Sequence, residues 1–163
     1  YKGLDLLAEA IRLLGPRDDF VLRVVGQGPE SAELAALRAL PNVSVENRWV
    51  PEGEIAALLA WSDAMVLSHR EASQSGGAAA AIAARRWVVA TRVGGIVEQL
   101  AGEPLARLCD PTAASLAATI GALLDERPAP LRPPPHAAPA AWLTMAAALV
   151  AAIRPLLDDG PAT

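Results

Sequence analysis

Apolar residues recur along this chain in two alternating rhythms. Leu4, Leu7, Ala8, Ile11 and Leu14 fall on one face of a helix, which Gly15-Pro16 should end. Phe20 to Val25 is a short β-branched, apolar run, as a strand requires, and it breaks at Gly26-Gln27-Gly28-Pro29. Pro29, whose fixed φ suits a first helical turn, is expected to open the next helix, through about Leu40. The alternation continues with a strand over Val43 to Val45, a helix over Glu52 to Trp61 and a strand over Ala64 to Leu67. After these come a helix over Ser75 to Arg85, a strand over Trp87 to Thr91, and a short helix behind Gly94-Gly95. A strand over Leu105 to Cys109 and a helix over Thr112 to Asp125, with Asp110 or Thr112 as N-cap, complete the series. Such alternation predicts an α/β fold: a Rossmann-like parallel sheet with helices on both faces, binding ligands beyond the C-terminal ends of its strands.

The rhythm stops at Arg127. From there to Pro139 the chain carries six prolines, which predict an extended, semi-rigid connector. Leu143, Ala147, Val150 and Ile153 then return at helical spacing, with Trp142 as a bulky anchor, and predict a last helix from about Ala140 to Leu157. The domain organisation expected is therefore a Rossmann-like unit over 1–126, a connector over 127–139, and a helix and frayed tail over 140–163. The stretch Ala137 to Ile153 is dominated by alanine and broken by Trp142, Thr144 and Met145, which argues against a membrane span.

Composition narrows the function classes. The chain has 163 residues, 53% of them hydrophobic, and a net charge of -4, so the basic footprint of a nucleic-acid-binding protein is missing. Cys109 is the single cysteine, which excludes an internal disulfide and a cysteine-based metal cluster and suits a reducing, cytoplasmic setting. The two histidines, His69 and His136, lie far apart without ligand spacing around them, so no metal site is expected. Tyr1 opens the sequence with no targeting segment and reads as mid-protein.

The candidate chemistry lies in the loops behind the strands. Gly26-Gln27-Gly28 is weak evidence alone, because a tight strand-to-helix turn favours glycine with or without a ligand. A nicotinamide dinucleotide site would need its third glycine at Ser31. The stretch "HREASQSGGAAAAIAARR", His69 to Arg86, is more specific. Gly76 and Gly77 have no side chains to block an approaching group, and the free N–H groups of a helix start form a small positive site for phosphate. Ser73 and Ser75 could equally be simple N-caps, and Glu71 either a solvated carboxylate or an acceptor for sugar hydroxyls.

Five stretches carry a resemblance: "YKGLDLLAEAIRLL", "LRVVGQGPE", "NVSVENRWVPEGEIAALLAWSDAMVLSHREASQSGG", "WVVATRVGGIVEQL" and "DPTAASLAATIGALL". In this order and spacing the chain resembles the C-terminal, donor-binding half of family 4 retaining glycosyltransferases of the GT-B fold. The resemblance implies that a nucleotide diphosphate sugar sits between this half and an N-terminal acceptor domain of the same protein, with no metal or other cofactor. Lys2 would then neutralise the leaving diphosphate. Glu71 would contact the donor sugar, Ser75, Gly76 and Gly77 would face the diphosphate, and Trp49, Val50 and Glu52 would border the nucleobase. Gly94 and Gly95 are read as turn formers and Glu98 as a surface charge. The resemblance also places a strand and a glycine-arginine element ahead of Tyr1, so the chain is expected to be a fragment with little activity alone. Membrane association, if any, would come through the acceptor domain.

Two departures keep other readings open. The family's second glutamate, which grips the ribose hydroxyls, falls on Ala79 or Ala80. Ala84-Arg85-Arg86-Trp87 stands where a glycine turn and a proline are usual, and Arg85 is expected to cap the carbonyls of its own helix. A non-catalytic nucleotide-sugar-binding or scaffold module is therefore the alternative, and a sugar-nucleotide epimerase on the same fold a further one.

Overall fold

The computed structural model describes residues 2–128. The rest of the proline-rich connector and the helix expected over 140–157 lie outside the described residues. Within them the elements follow the order α1 (Leu4–Leu14), β1 (Leu22–Gly26), α2 (Ala32–Arg38), β2 (Val43–Asn47), α3 (Glu52–Trp61), β3 (Ala64–Leu67), α4 (Gly76–Ala83), β4 (Trp87–Thr91), α5 (Ile96–Gln99), β5 (Ala106–Cys109) and α6 (Ala113–Glu126).

All described strand pairs are parallel. β1 pairs with β2, Leu22 opposite Val43, while β3, β4 and β5 form a second sheet in that order, with Ala64 opposite Trp87 and Val88 opposite Ala106. Side chains alternate between two cores, as burial on both sheet faces demands. Val89 and Cys109 join Leu6, Leu7, Ala10 and Ile11 of α1 and Leu116 and Ile120 of α6 on one face. Val88 and Ala90 join Leu59 of α3, Ala78 and Ala81 of α4, and Ile96 on the other. Leu22 and Val24 of β1 pack against the same core as Ala64 and Val66 of β3. The fold is thus the Rossmann-like α/β arrangement, with a break: one edge of β1 and one of β3 have no partner among the described strands. β4, paired on both sides, buries its last four residues, whereas β1 and most of β3 are only half-buried.

Two helix boundaries differ from the sequence expectation. α2 starts after Ser31, whose hydroxyl accepts from the Leu34 N–H at 3.3 Å, so Pro29 lies ahead of the helix and does not open it. Asn47 is the reason. Its amide brackets the Gly28 backbone N–H and carbonyl, each at 3.0 Å, and donates to Glu30 at 2.7 Å, tying this stretch to the end of β2. Arg38 also engages Glu30 in a two-pronged ion pair, and the two neighbours draw the Glu30 carboxyl down to about 2.

α4 ends at Ala83 with a backbone device. Arg85 takes the left-handed conformation (φ 58°), and the Arg86 N–H reaches the Ala81 carbonyl at 2.9 Å. This is the Schellman turn that glycine usually supplies. The backbone, rather than the Arg85 side chain, therefore caps the helix. At α6 the open choice falls to Thr112, which accepts from the Ser115 N–H at 3.2 Å, while the Ser115 hydroxyl accepts from the Asp110 N–H at 3.1 Å.

Candidate functional site

The loop behind β3, residues 68–75, is gripped from two sides at the level of its backbone. On one side lies the turn into α1. Gly3 is left-handed (φ 65°), and a Cβ there would stand 1.8 Å from the Ser68 carbonyl oxygen. Only glycine permits that approach. The Ser68 hydroxyl donates to the Lys2 carbonyl at 2.9 Å, and Arg70 forms an ion pair with Asp5. On the other side lies the end of β4. Thr91, fully buried, donates its one hydroxyl proton to the His69 carbonyl at 2.5 Å, with the Leu67 carbonyl 3.3 Å away. Gly94, also left-handed, and Gly95 pass so close that a Cβ would stand 2.1 Å from the Ala72 oxygen or 1.9 Å from that of Ser73. Gln99 then brackets Ser75, accepting from its N–H and donating to its carbonyl, both at 2.9 Å.

These contacts hold Lys2 against the start of the loop that carries Glu71 and leads into α4. Lys2 and Glu71 are exposed, and the Lys2 ammonium stands 3.2 Å from Nε2 of the buried His69. An ammonium can only donate, so Nε2 accepts and the imidazole is neutral with its proton on Nδ1. Burial first, and the Lys2 charge second, hold the His69 pKa below its ordinary value.

At the helix start the expected residues divide their work. Ser75 is buried, its hydroxyl caps α4 by accepting from the Ala78 N–H at 3.2 Å, and its backbone is occupied by Gln99. Gly77 faces inward, where a Cβ would meet the Met65 sulfur at 3.1 Å, so its missing side chain serves packing on β3. Gly76 has open space where a side chain would stand. The N–H groups of Gly76, exposed, and Gly77, half-buried, precede the first helical bond, from the Ala79 N–H to the Ser75 carbonyl, at the positive end of α4.

Trp49, Val50 and Glu52 form a second group, on the loop between β2 and α3. Trp49 is 71% exposed, Val50 half-buried and Glu52 exposed in the first helical turn. Arg48 holds this loop by ion pairs with Glu46 and Glu54 and a bond to the Trp49 carbonyl at 3.2 Å. Arg23 joins the network through Glu46 and stacks 4.9 Å above the Trp61 ring. No hydrogen bond or ion pair among the described residues links this loop to the 68–77 loop. Shallow grooves lie elsewhere, between α1 and α2 and between α1 and α6.

A comparison with protein families matches residues 1–126 to the model of glycosyl transferases group 1. The chain belongs to this family. Its described residues are therefore a glycosyl transferase domain on a Rossmann-like α/β fold. No match was found among curated proteins. Among the described residues no helix is long and apolar enough to cross a membrane, and no cluster of three or more His, Cys, Asp or Glu could hold a metal ion.

Sequence reasoning missed Gly3, Ser68, His69, Thr91 and Gln99 as parts of this site. The lysine-glycine pair at 2–3 and the Gly94-Gly95 pair were the available signals. The first is read only as the family's diphosphate-facing lysine and the second as a turn, and neither reveals the backbone pressed against it.

Proposed function

We propose that this glycosyl transferase domain is the donor-binding half of a retaining enzyme, which moves a hexose-type unit from a nucleotide diphosphate sugar to a hydroxyl acceptor. The observation that carries this reading is a cation held at the start of an interlocked loop that carries a carboxylate and leads into an open helix start. Lys2 and the N–H groups of Gly76 and Gly77 supply positive charge where a diphosphate would gain charge on leaving. Glu71 accepts from the sugar hydroxyls, and Ser75 acts indirectly by capping and fixing the helix start. Trp49 offers a flat exposed face to a base, with Val50 and Glu52 bordering it. No metal or other cofactor is required in this scheme.

The unpaired edges of β1 and β3 support one further parallel strand beside them. Lys2 is held by Ser68 at the C-terminal end of β3, and β3 and β1 each leave one edge unpaired among the described strands. A parallel strand leading into Lys2 would pair with both edges and complete one continuous sheet. The acceptor domain would belong to the same protein, any membrane contact would be made through it, and the chain alone would turn over little. Such an enzyme would work in the cytoplasm, a reducing setting that its single cysteine suits.

Ala79, exposed one turn into α4, favours a second reading. With Ala80, it occupies the place of the carboxylate expected to hold the ribose, and a non-catalytic nucleotide-sugar-binding module would tolerate that loss. Release of nucleoside diphosphate by the protein that carries the acceptor domain separates the two. The enzyme reading expects turnover that Glu71→Ala reduces at least about tenfold, as loss of a charged hydrogen bond would. Turnover unchanged by Glu71→Ala removes the role given to Glu71, and no turnover with any donor favours the binding module.

A further inference from the structure

We propose that His69 is a positioning residue, whose neutral imidazole holds the Lys2 ammonium at the loop behind β3 in readiness for the donor diphosphate. This rests on the donor-binding reading above and goes further, because it explains how a flexible cation is made ready.

A lysine side chain carries roughly 2 kcal/mol of rotamer entropy, and a ligand that must immobilise it binds correspondingly more weakly. Here the ammonium already has an acceptor at 3.2 Å on a ring that cannot wander. His69 is 4% exposed, and its carbonyl accepts the Thr91 hydroxyl at 2.5 Å. The neighbouring Ser68 holds the Lys2 carbonyl through its hydroxyl, so the side chain and the backbone of Lys2 are both held by consecutive residues of one loop. The N-terminal ammonium adds a smaller lowering influence on His69, and the charged side chains near this loop are paired, bonded or exposed. Arg70 is paired with Asp5, Glu71 is exposed two positions on, and Arg92, beyond Thr91, bonds the Leu108 carbonyl.

The arrangement works only while the ring is neutral. An imidazolium has no lone pair to offer and would repel the ammonium. Burial and the Lys2 charge lower the His69 pKa, which keeps the acceptor in place at neutral pH. The ring therefore serves by staying unprotonated, and acid should undo the pairing.

The test uses the 163-residue chain, with His136→Gln to leave one histidine signal. An NMR titration should show the Nδ1-protonated tautomer at neutral pH and a His69 pKa that rises in Lys2→Met, where the nearby positive charge is gone. Calorimetric titration with uridine, guanosine and adenosine diphosphates in turn then reads the function. Lys2→Met and His69→Phe should each weaken the best of these by about tenfold or more. His69→Gln, which restores an acceptor, should recover most of that loss, and His69→Phe should add nothing in the Lys2→Met background.

A His69 pKa unmoved by Lys2→Met overturns the pairing and leaves the donor reading standing. So does a His69→Gln variant that folds and binds as poorly as Lys2→Met. A wild-type chain that binds no nucleoside diphosphate, while the pKa still responds, overturns the donor reading and with it the purpose given to His69.

Discussion

The two loops proposed to contact a donor are held in different ways. The 68–77 loop is fixed through its backbone, by glycines at van der Waals contact and by buried hydroxyl and amide bonds. The 48–52 loop is fixed through long, part-exposed arginine and glutamate side chains, with Trp49 standing out into solvent. A backbone interlock leaves a ligand few conformations to select from, as a charge-stabilising site needs. Exposed ion pairs contribute little each, and they let a loop adapt to the shape of a base.

This contrast can be broken by substitution, and the largest effects should fall at the glycines. Gly3→Ala and Gly95→Ala each place a Cβ within 2 Å of a carbonyl oxygen, at 1.8 and 1.9 Å. Backbone must move to admit it, and the expected loss is about 3 kcal/mol or more by urea unfolding. A loss within the range of ordinary surface changes would mean that the loop is not interlocked.

Thr91→Val comes next. It keeps the shape of a fully buried side chain but leaves the His69 carbonyl without its hydroxyl donor, at a cost of about 1–3 kcal/mol. Gln99→Leu removes two bonds to the Ser75 backbone, each contributing about 1 kcal/mol, and should also loosen nucleoside diphosphate binding by freeing the helix start. Equal stability of this variant and the parent, read by thermal unfolding, would show that the bracket is ornamental.

The second loop should behave in the opposite way. Trp49→Ala is expected to leave stability within about 0.5 kcal/mol, as an exposed residue does. Its effect should appear in nucleotide affinity, where loss of base stacking costs about 1–3 kcal/mol. A stability loss matching that of Thr91→Val would place Trp49 in the structure rather than on a ligand. Arg85→Gly should show the smallest effect of all and the opposite sign. It relieves a left-handed arginine at the end of α4 and should stabilise the chain by up to about 1 kcal/mol.

Much of the fold was legible because its signals are local. The order of elements follows from apolar periodicity and from Gly and Pro punctuation, and α3, β3 and β4 take the bounds that periodicity implies. What was not legible acts across the chain. Asn47 shifts the start of α2 from 17 to 19 residues away, through Glu30 and Gly28. Arg85 accepts a turn that its residue type disfavours, because Arg86 and Ala81 close it. Within the candidate site, the helix start at Gly76 and Gly77 could be named from local pattern, while Lys2 and the sugar-contact role of Glu71 came from the family resemblance. The histidine beside Lys2 could not be named, since the 67 residues between them carry no periodic trace of the contact.

The most direct test of the account is an amide-shift map of the chain titrated with the nucleoside diphosphate that binds best. The account expects the largest changes at the N–H groups of Gly76 and Gly77 and at Lys2, with the Trp49 indole responding to the base. Changes confined to the groove between α1 and α2, with Gly76 and Gly77 silent, would contradict it.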